Sequence, residues 1–378
     1  MTGHIRRRGK LKFDIGTDPI TGKRLTRYHS FKGTKREAEA ELVRLKSAAD
    51  RGEYIDAAKT TVSQFLDRWE RDWATINVSP KTVERYNELL RLHVRPHLGA
   101  VRIQKLLPVN LAELYAKLLR EGRGESGLSA RTVGHVHRVL HKALRVATEW
   151  AVIGRNPSDV AKPPKVEVAD VETLSEQQVR MLLPSLRDQP IYRFTMLALA
   201  TGMRRGELLA LRWRDVDLDS AILRVEQSLE QTKAGLRFKP PKTKHGKRVI
   251  ALPGSVLSEL RDQWKEQQEN RLRLGLGKAP DDALVFPNWD GSPRSPNAVT
   301  KQWAATIARL RLPRVSLHAL RHTHASQLIE SGMDVLTISR RLGHGSPTIT
   351  LSVYGHMFGN TDKRAAEIIE SALVWKTE

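Results

Sequence analysis

The sequence contains no cysteine, which excludes disulfides, thiolate zinc sites and cysteine nucleophiles. It has no apolar run near the ~18 residues of a membrane-spanning helix, and no apolar stretch follows its N-terminal charges as in a signal peptide. We therefore expect a cytoplasmic protein. Acidic residues are scarce, since 42 Asp and Glu face 64 Lys and Arg, giving a net charge of +22. This surplus predicts a polyanionic partner, either nucleic acid or an anionic membrane face.

The composition is otherwise that of an ordinary globular protein. Hydrophobic residues make up 40% of the 378 residues, which argues against wholesale disorder and leaves room for two or three domains. We predict a multidomain α+β fold. A small β-hairpin sheet with one helix takes residues 1–57, an all-α helical bundle takes 58–156, and a proline-containing linker takes 157–171. A mainly α-helical domain with a small β-sheet and a C-terminal tail helix takes 172–378.

The first segment is strongly basic. Residues 11–15 alternate with a period of two, residues 16–22 have turn chemistry and residues 25–31 resemble the return strand of a hairpin. Thr34 and Glu37 have the spacing of a helix capping box. The segment is either a solvated tail or a sheet that contacts DNA. On the second interpretation the DNA-binding residues are Arg6, Arg7, Arg8, Lys10, Lys12, Lys23, Arg24 and Arg27.

The second segment predicts four amphipathic helices, with start signals at Thr61, Ser79, Asn110 and Ser129. The helix after Ser129 has one apolar face and one basic face. The basic face is either ordinary solvated surface or a phosphate-contacting surface. On the second interpretation its DNA-binding residues are Arg138, Lys142 and Arg145.

The third segment contains four places where polar groups interrupt apolar surroundings. Arg204 follows a helix that ends at Gly202, and Glu207 lies within reach of it; alone they fit a structural ion pair. Several lysines then lie between two strand-like runs at residues 221–225 and 248–252. Most lysines of that kind simply project into solvent, but one at a hairpin tip could reach a substrate phosphate or a leaving oxygen.

The other two places lie near the C-terminus. His318 and Arg321 are neighbours on one predicted helix face. A second predicted helix ends at Gly343 and exposes His344, and a short helix starting at residue 347 leads to Tyr354. Taken alone, Tyr354 fits a core tyrosine.

Together these residues predict a positively charged site that binds an anion and contains a possible nucleophile. The three histidines between residues 318 and 324 match no familiar zinc motif. No acidic cluster is present to hold Mg²⁺, and no G-x-x-x-x-G-K-[ST] motif is present to bind a nucleotide. We therefore expect no cofactor and no metal. Fixed cations would then have to stabilise a pentacovalent phosphorus.

The ordered motifs resemble the tyrosine recombinase, or phage integrase, family. They are Thr201-Gly-Met-Arg204-Arg-Gly-Glu207-Leu, Lys242, His318-x-x-Arg321-His322-Thr, Leu-Gly-His344 and Tyr354. The helical bundle is similar to the core-binding domain of that family. The N-terminal hairpin and helix resemble the arm-binding domain of integrases from temperate phages and conjugative elements.

The resemblance implies a site-specific recombinase that cleaves duplex DNA through a 3′-phosphotyrosyl intermediate and needs neither metal nor ATP. The implied roles are nucleophile for Tyr354, phosphate clamp for Arg204 and Arg321, phosphate donor for His344, base for His318, acid for Lys242, and support behind Arg204 for Glu207. Which lysine acts stays open, because Lys239, Lys244 and Lys247 lie close to Lys242 in the chain.

The implied partners are double-stranded DNA, at core and arm sites, and three further copies of the chain in a tetramer. DNA-bending and directionality proteins are further expected partners. The tail helix packs either on its own domain or on a neighbouring protomer. Two alternatives to a recombinase are a type IB topoisomerase, which shares the chemistry, and a DNA-binding regulator with an inactive site. Binding of heparin-like chains or membranes by charge alone is a third.

Overall fold

The structure is a computed structural model that describes residues 3–6, 10–17, 22–31, 33–50, 59–122, 126–167, 171–241, 244–358 and 362–373. The chain divides into two compact units, Met1–Glu167 and Val168–Glu378. It is mostly helical with small antiparallel sheets, as the α+β prediction requires. No helix among the residues just given is long and apolar enough to cross a membrane.

The N-terminal segment is an antiparallel sheet packed against one helix. Its elements are β1 (Gly3–Arg6), β2 (Lys10–Thr17), β3 (Arg24–Ser30) and α1 (Lys35–Asp50), with β2 central in the sheet. Leu11 and Phe13 are buried with the apolar face of α1, because alternate residues of a strand point to one side. The predicted capping box is confirmed, since the backbone N–H of Thr34 donates to Glu37 Oε2 at 2.7 Å.

The rest of the first unit is a helical bundle. Its helices are α2 (Val62–Trp69), α3 (Thr75–Asn77), α4 (Pro80–His93), α5 (Arg95–Leu98), α6 (Pro108–Glu121) and α7 (Ala130–Glu149). Thr61 and Ser129 cap α2 and α7 as predicted. The predicted start at Asn110 is wrong. Helix α6 begins at Pro108, because Asn110 Oδ1 accepts the backbone N–H of Leu107 at 3.0 Å and so caps an earlier turn.

The bundle is joined to residues assigned to the linker. A 3₁₀ turn at Pro157–Asp159 follows α7, and Ser158 is buried within it. Ala161 is buried in the same apolar cluster as the inner face of α7. The first residues after position 156 are therefore packed against the bundle, while the domain boundaries themselves stay a proposal.

The second unit surrounds its small sheets with helices. In chain order it contains α8 (Glu176–Ser185), α9 (Tyr192–Thr201), α10 (Arg205–Leu209), β4 (Val216–Asp217), β5 (Ile222–Val225), β6 (Ser228–Thr232), β7 (Gly235–Lys239), β8 (Arg248–Ala251), α11 (Gly254–Arg273), α12 (Pro296–Arg309), α13 (Ala319–Glu330), α14 (Val335–Leu342), α15 (Pro347–Tyr354) and α16 (Asp362–Leu373). Strands β4, β5 and β8 form one sheet, and β6 and β7 form a hairpin.

Helix α13 lies between two apolar clusters of this unit. Its Leu320 belongs to the main core, whereas Ala325 and Ile329 pack with Leu342 and Tyr354 in a smaller cluster. Residues at the start of α13 consequently lie near the ends of α9, α14 and α15. These ends carry most of the residues that the sequence singled out.

The tail helix α16 has two exposed apolar side chains, Ile369 and Leu373. The side chains of Ile368 and Ala372, which are also apolar, lie outside the description. Packing of this helix on its own domain or on a neighbouring protomer therefore stays a proposal.

Candidate active site

Arg204 is fixed at the junction of two helices. Helix α9 ends at Gly202, whose φ of 63° lies in the left-handed region that glycine tolerates best. Arg204 then caps α10. Its backbone N–H donates to Glu207 Oε2 at 3.0 Å, and its Nη1 donates to Oε1 at 2.9 Å. The Arg–Glu pair suggested by the sequence is present, and Glu207 lies behind Arg204.

Glu207 has a second partner that the sequence analysis missed. Arg248, at the start of β8, donates from Nη2 to Glu207 Oε2 at 2.9 Å and from Nε to the carbonyl of Arg341 at 2.7 Å. Burial on its own raises the pKa of Glu207, but the guanidinium groups of Arg248 and Arg204 hold it below its usual value. Glu207 is therefore a buried carboxylate that orients two arginines.

Arg321 is almost completely buried, with 3% of its surface exposed. Its Nη1 donates to the carbonyl of Gly202 at 2.7 Å, and its Nη2 donates to the carbonyl of Leu342 at 2.8 Å. Burial first, and then the charge of Arg204, lower the pKa of Arg321 to about 9, so that it is still cationic at neutral pH. Carbonyls at the ends of α9 and α14 thus fix a buried positive charge.

Two histidines lie beside this charge. His318, just before α13, is exposed and meets the ring of His322 edge to face, with centroids 4.7 Å apart. His344 follows α14, and its Nδ1 shares a hydrogen bond with Thr350 Oγ1 at 2.8 Å. Burial, followed by the charges of Arg321 and Arg204, lowers the pKa of His344 to about 4. His344 is therefore neutral at neutral pH.

Tyr354 lies at the end of α15 with only 1% of its surface exposed. Its Oη is 2.6 Å from His322 Nδ1. Burial raises the pKa of Tyr354 to about 12, while the positive charge of Arg321 acts in the opposite direction. The phenol therefore lies within the electrostatic influence of a guanidinium. His322 stood in the quoted motif, but no sequence signal pointed to its contact with Tyr354.

The sequence offers several lysines between β7 and β8 as the acid of the site. Lys242 lies outside the described residues. Lys239 pairs with Glu230, and Lys247 Nζ is 2.7 Å from Glu226 Oε2. Both therefore have acidic partners, and the assignment of the acid to Lys242 stays a proposal.

The third histidine of the predicted cluster has a structural environment. His324 is buried, donates from Nδ1 to the carbonyl of Leu199 at 2.7 Å and accepts from Arg341 Nε at 3.1 Å. Within the described part of the chain, no three His, Asp or Glu side chains gather in a way that could hold a metal ion.

The lowered pKa values of three histidines predict how the stability of the protein depends on pH. Burial is the main cause that lowers the pKa of His322, His324 and His344 to about 4, from 6.5 in the unfolded chain. Below pH 6.5 the unfolded chain therefore binds more protons than the folded one, and stability is lost progressively towards pH 4. We expect the free energy of unfolding, measured in urea, to fall from about pH 6.5 to about pH 5, where ordinary carboxylates remain ionised.

A variant and a control test this pH dependence. His324→Gln removes one of the three groups and should make the loss of stability with falling pH shallower. His356→Gln changes an exposed histidine and should leave the slope as it is. An unfolding free energy that does not vary over this range would contradict the expected protonation states.

The predicted DNA-binding residues of the bundle line a groove. Its volume is about 490 Å³, and it is lined on α7 by Arg138, Lys142 and Arg145 together with Arg85 of α4. Lys142 Nζ lies 4.9 Å from the centre of the Trp73 ring, and Arg145 Nε lies 3.3 Å from Glu149 Oε1. The groove is therefore a concentrated positive surface.

The N-terminal candidates are only partly described. Arg6, Lys10, Lys12, Arg24 and Arg27 lie on the strands of the sheet, and Lys23 precedes β3. Lys23 and Arg24 are exposed, and Arg24 Nη1 is 3.9 Å from an oxygen of Asp14. Arg7 and Arg8 lie outside the described residues.

Comparison with known proteins gives consistent similarities. Residues 172–360 match the phage integrase family, and residues 61–119 match the phage integrase N-terminal SAM-like domain. The tyrosine recombinase XerC-like protein of Caldanaerobacter subterraneus is 25% identical over 383 residues, covering 97% of this chain and 96% of its own. The ICEBs1 integrase of Bacillus subtilis is 28% identical over 374 residues, covering 97% of this chain and 98% of its own.

A solved structure is also similar. The Tn1549 transposon integrase in complex with transposon right end DNA superimposes with a TM-score of 0.70 at 22% sequence identity. The match covers 83% of this chain and 100% of that one. At this identity the similarity concerns the fold.

Proposed function

Because this chain belongs to the phage integrase family, we propose that it is a site-specific DNA recombinase that cleaves and rejoins duplex DNA through a phosphotyrosyl intermediate. One observation carries most of the support. The positive charge of Arg321 acts on the phenol of Tyr354, and Arg321 is fixed by carbonyls at the ends of α9 and α14. A nucleophile beside a preorganised cation is what attack on a phosphodiester anion needs.

The proposed reaction exchanges one ester for another. Tyr354 Oη loses its proton to a histidine base and attacks the phosphorus, the bond from phosphorus to the 5′-oxygen breaks, and the leaving oxygen takes a proton from Lys242. Arg204 and Arg321 bind the nonbridging oxygens, and His344 donates a further hydrogen bond. A guanidinium has five N–H donors, so the two bonds that Arg321 makes to carbonyls still leave donors for phosphate.

Energy conservation follows from this exchange. The phosphotyrosyl ester preserves the energy of the phosphodiester, so attack by a 5′-hydroxyl from another strand reseals DNA without ATP or a metal ion. Exchanging two duplexes requires four cleavages, and each chain supplies one Tyr354. We therefore propose a tetramer on DNA. In it the bundle binds the core site, the N-terminal sheet binds the arm site, and DNA-bending and directionality proteins bias the outcome.

The test uses the full chain and identifies the DNA that becomes covalently attached to it. A library of nicked duplexes is incubated with the protein, and DNA that stays covalently attached is sequenced. Peptide mass spectrometry locates the attachment, expected at Tyr354. The selected site is then supplied in pairs. Joined products support a recombinase, relaxation of supercoils without joining favours a type IB topoisomerase, and absence of any adduct favours a regulator.

The groove of the bundle gives an independent prediction. Arg138→Gln should remove one phosphate contact, weaken DNA binding and reduce the slope of log affinity against log salt by about 0.9. Binding of the full chain to the selected duplex is measured over a series of salt concentrations. Arg71→Gln is the matched control, because Arg71 is exposed on the same bundle and pairs with Asp72. Equal slopes for the two variants would show that Arg138 makes no phosphate contact and that the groove is not part of the DNA-binding surface.

A further inference from the structure

The phenol of Tyr354 makes a hydrogen bond with His322. The atoms Oη and Nδ1 are 2.6 Å apart, and the ring centroids are 5.6 Å apart. The phenol is buried, so water does not compete for this bond. His322 lies on the first turn of α13, directly after Arg321, and its backbone is therefore fixed by the same helix.

We propose that His322 is a catalytic residue that accepts the proton of Tyr354 as its oxygen attacks the phosphorus, an inference that rests on the proposed function. In this step the O–H bond of Tyr354 breaks and an N–H bond forms at Nδ1. The electron pair of the phenol oxygen forms the new bond to phosphorus. The 5′-oxygen leaves with its own electron pair and takes its proton from the acid, so that atoms and charge balance.

The geometry favours His322 over His318 for this role. A general base must lie within hydrogen-bond reach of the proton that it removes. His322 satisfies this condition at 2.6 Å, whereas His318 meets the ring of His322 edge to face, with centroids 4.7 Å apart. His318 is exposed. As an exposed ring in contact with His322, it can exchange a proton with solvent after the step.

The groups that face His322 leave it able to accept a proton. They are His318 and Arg321 from the start of α13, His344 from the end of α14 and Tyr354 from α15. Neither Arg321 nor the neutral histidines stabilise a protonated His322 before substrate arrives. The phosphodiester adds a negative charge beside the ring, which favours imidazolium as the reaction proceeds.

The deciding variant is His322→Asn. The Asn oxygen can stand where Nδ1 stands and accept the hydrogen bond from Tyr354, but it cannot take a proton. We expect adduct formation on the nicked duplex to slow by about 10²–10⁴-fold at neutral pH and to recover as pH rises and the phenol ionises by itself. His356→Asn, an exposed histidine close by in sequence, is the matched control and should cleave at the wild-type rate.

A modified substrate separates the base from the acid. A 5′-bridging sulfur makes the leaving group good enough to need no proton. The defect of His322→Asn should persist on this substrate, whereas that of Lys242→Ala should largely disappear. Melting temperature and DNA affinity, measured on the same preparations, identify a folding defect. The cleavage rate of the wild-type protein on the sulfur substrate is also measured at several pH values. The part of this pH profile that depends on a base can be measured even if the variant does not fold.

The outcomes are distinct. A His322→Asn protein that cleaves within a few-fold of wild type over the whole pH range overturns the assignment and leaves His322 as a positioning residue only. Loss of the pH-dependent limb in His318→Asn but not in His322→Asn overturns it in favour of His318. If wild-type protein forms no adduct on Tyr354, the proposed function itself fails, which is a different result from either.

Discussion

Tyr354→Phe should abolish the covalent protein–DNA adduct altogether while leaving DNA binding at the wild-type level. The substitution removes only the oxygen that would attack phosphorus, and the ring still fills its buried position against α13 and α14. The lost hydrogen bond to His322 should cost about 1 kcal/mol of stability, because a typical buried hydrogen bond contributes that much. Adduct is measured on a denaturing gel with the nicked duplex, and affinity is measured on the intact one.

Tyr192→Phe is the matched control for this experiment. Tyr192 lies in the same unit, and its hydroxyl donates to Glu259 at 3.3 Å, away from the cationic site. Its removal should leave adduct formation unchanged. Adduct at the wild-type yield in Tyr354→Phe would mean that the nucleophile is another residue, and the reaction proposed for this site would be abandoned.

Arg321→Lys should slow cleavage by about 10²–10³-fold, the usual cost of removing one preorganised donor from a transition state. A guanidinium can bond to the carbonyls of Gly202 and Leu342 and still present N–H groups to phosphate. An ammonium group is a single compact charge and cannot satisfy both carbonyls and the substrate in that geometry. The rate is measured in single turnover on the nicked duplex, with DNA affinity measured alongside.

Arg212→Lys separates lost catalysis from lost stability. Arg212 also lies in the second unit, is also largely buried, and makes two hydrogen bonds to Asp215, at 2.7 and 3.0 Å. Its replacement should lower the melting temperature and leave the cleavage rate of the folded protein unchanged. If Arg321→Lys behaves in the same way, Arg321 has a structural role and does not bind the reacting phosphate.

The parts of the fold that sequence predicted well depend on short-range signals. Thr61 and Ser129 cap their helices because the partner residue lies three positions away, so the whole interaction is visible in four letters. The same holds for Arg204 and Glu207. The stop of α14 at Gly343 follows from one residue with a φ of 68°. Local backbone chemistry is sufficient for these features.

The features that were missed join residues far apart in the chain. His322 and Tyr354 are 32 positions apart, and Glu207 and Arg248 are 41 positions apart, so their contacts depend on how helices pack. The hairpin of β6 and β7 was missed for another reason. The segment Gly235–Lys239 is largely exposed, and its alternation of Leu236 and Phe238 with charged residues covers only five positions.

The two left-handed glycines have a consequence for the evolution and redesign of this site. Gly202 ends α9 and Gly343 ends α14, and the carbonyls of Gly202, Leu342 and Gly343 all accept hydrogen bonds from Arg321 or Arg204. A Cβ on Gly343 would stand 2.8 Å from Arg248 Nη1, and one on Gly202 would stand 2.6 Å from the His324 ring. The two glycines, which have no reactive group, thus determine the spacing of the Arg204 and Arg321 guanidinium groups. Redesign of the helices around the site therefore has to keep glycine at both positions.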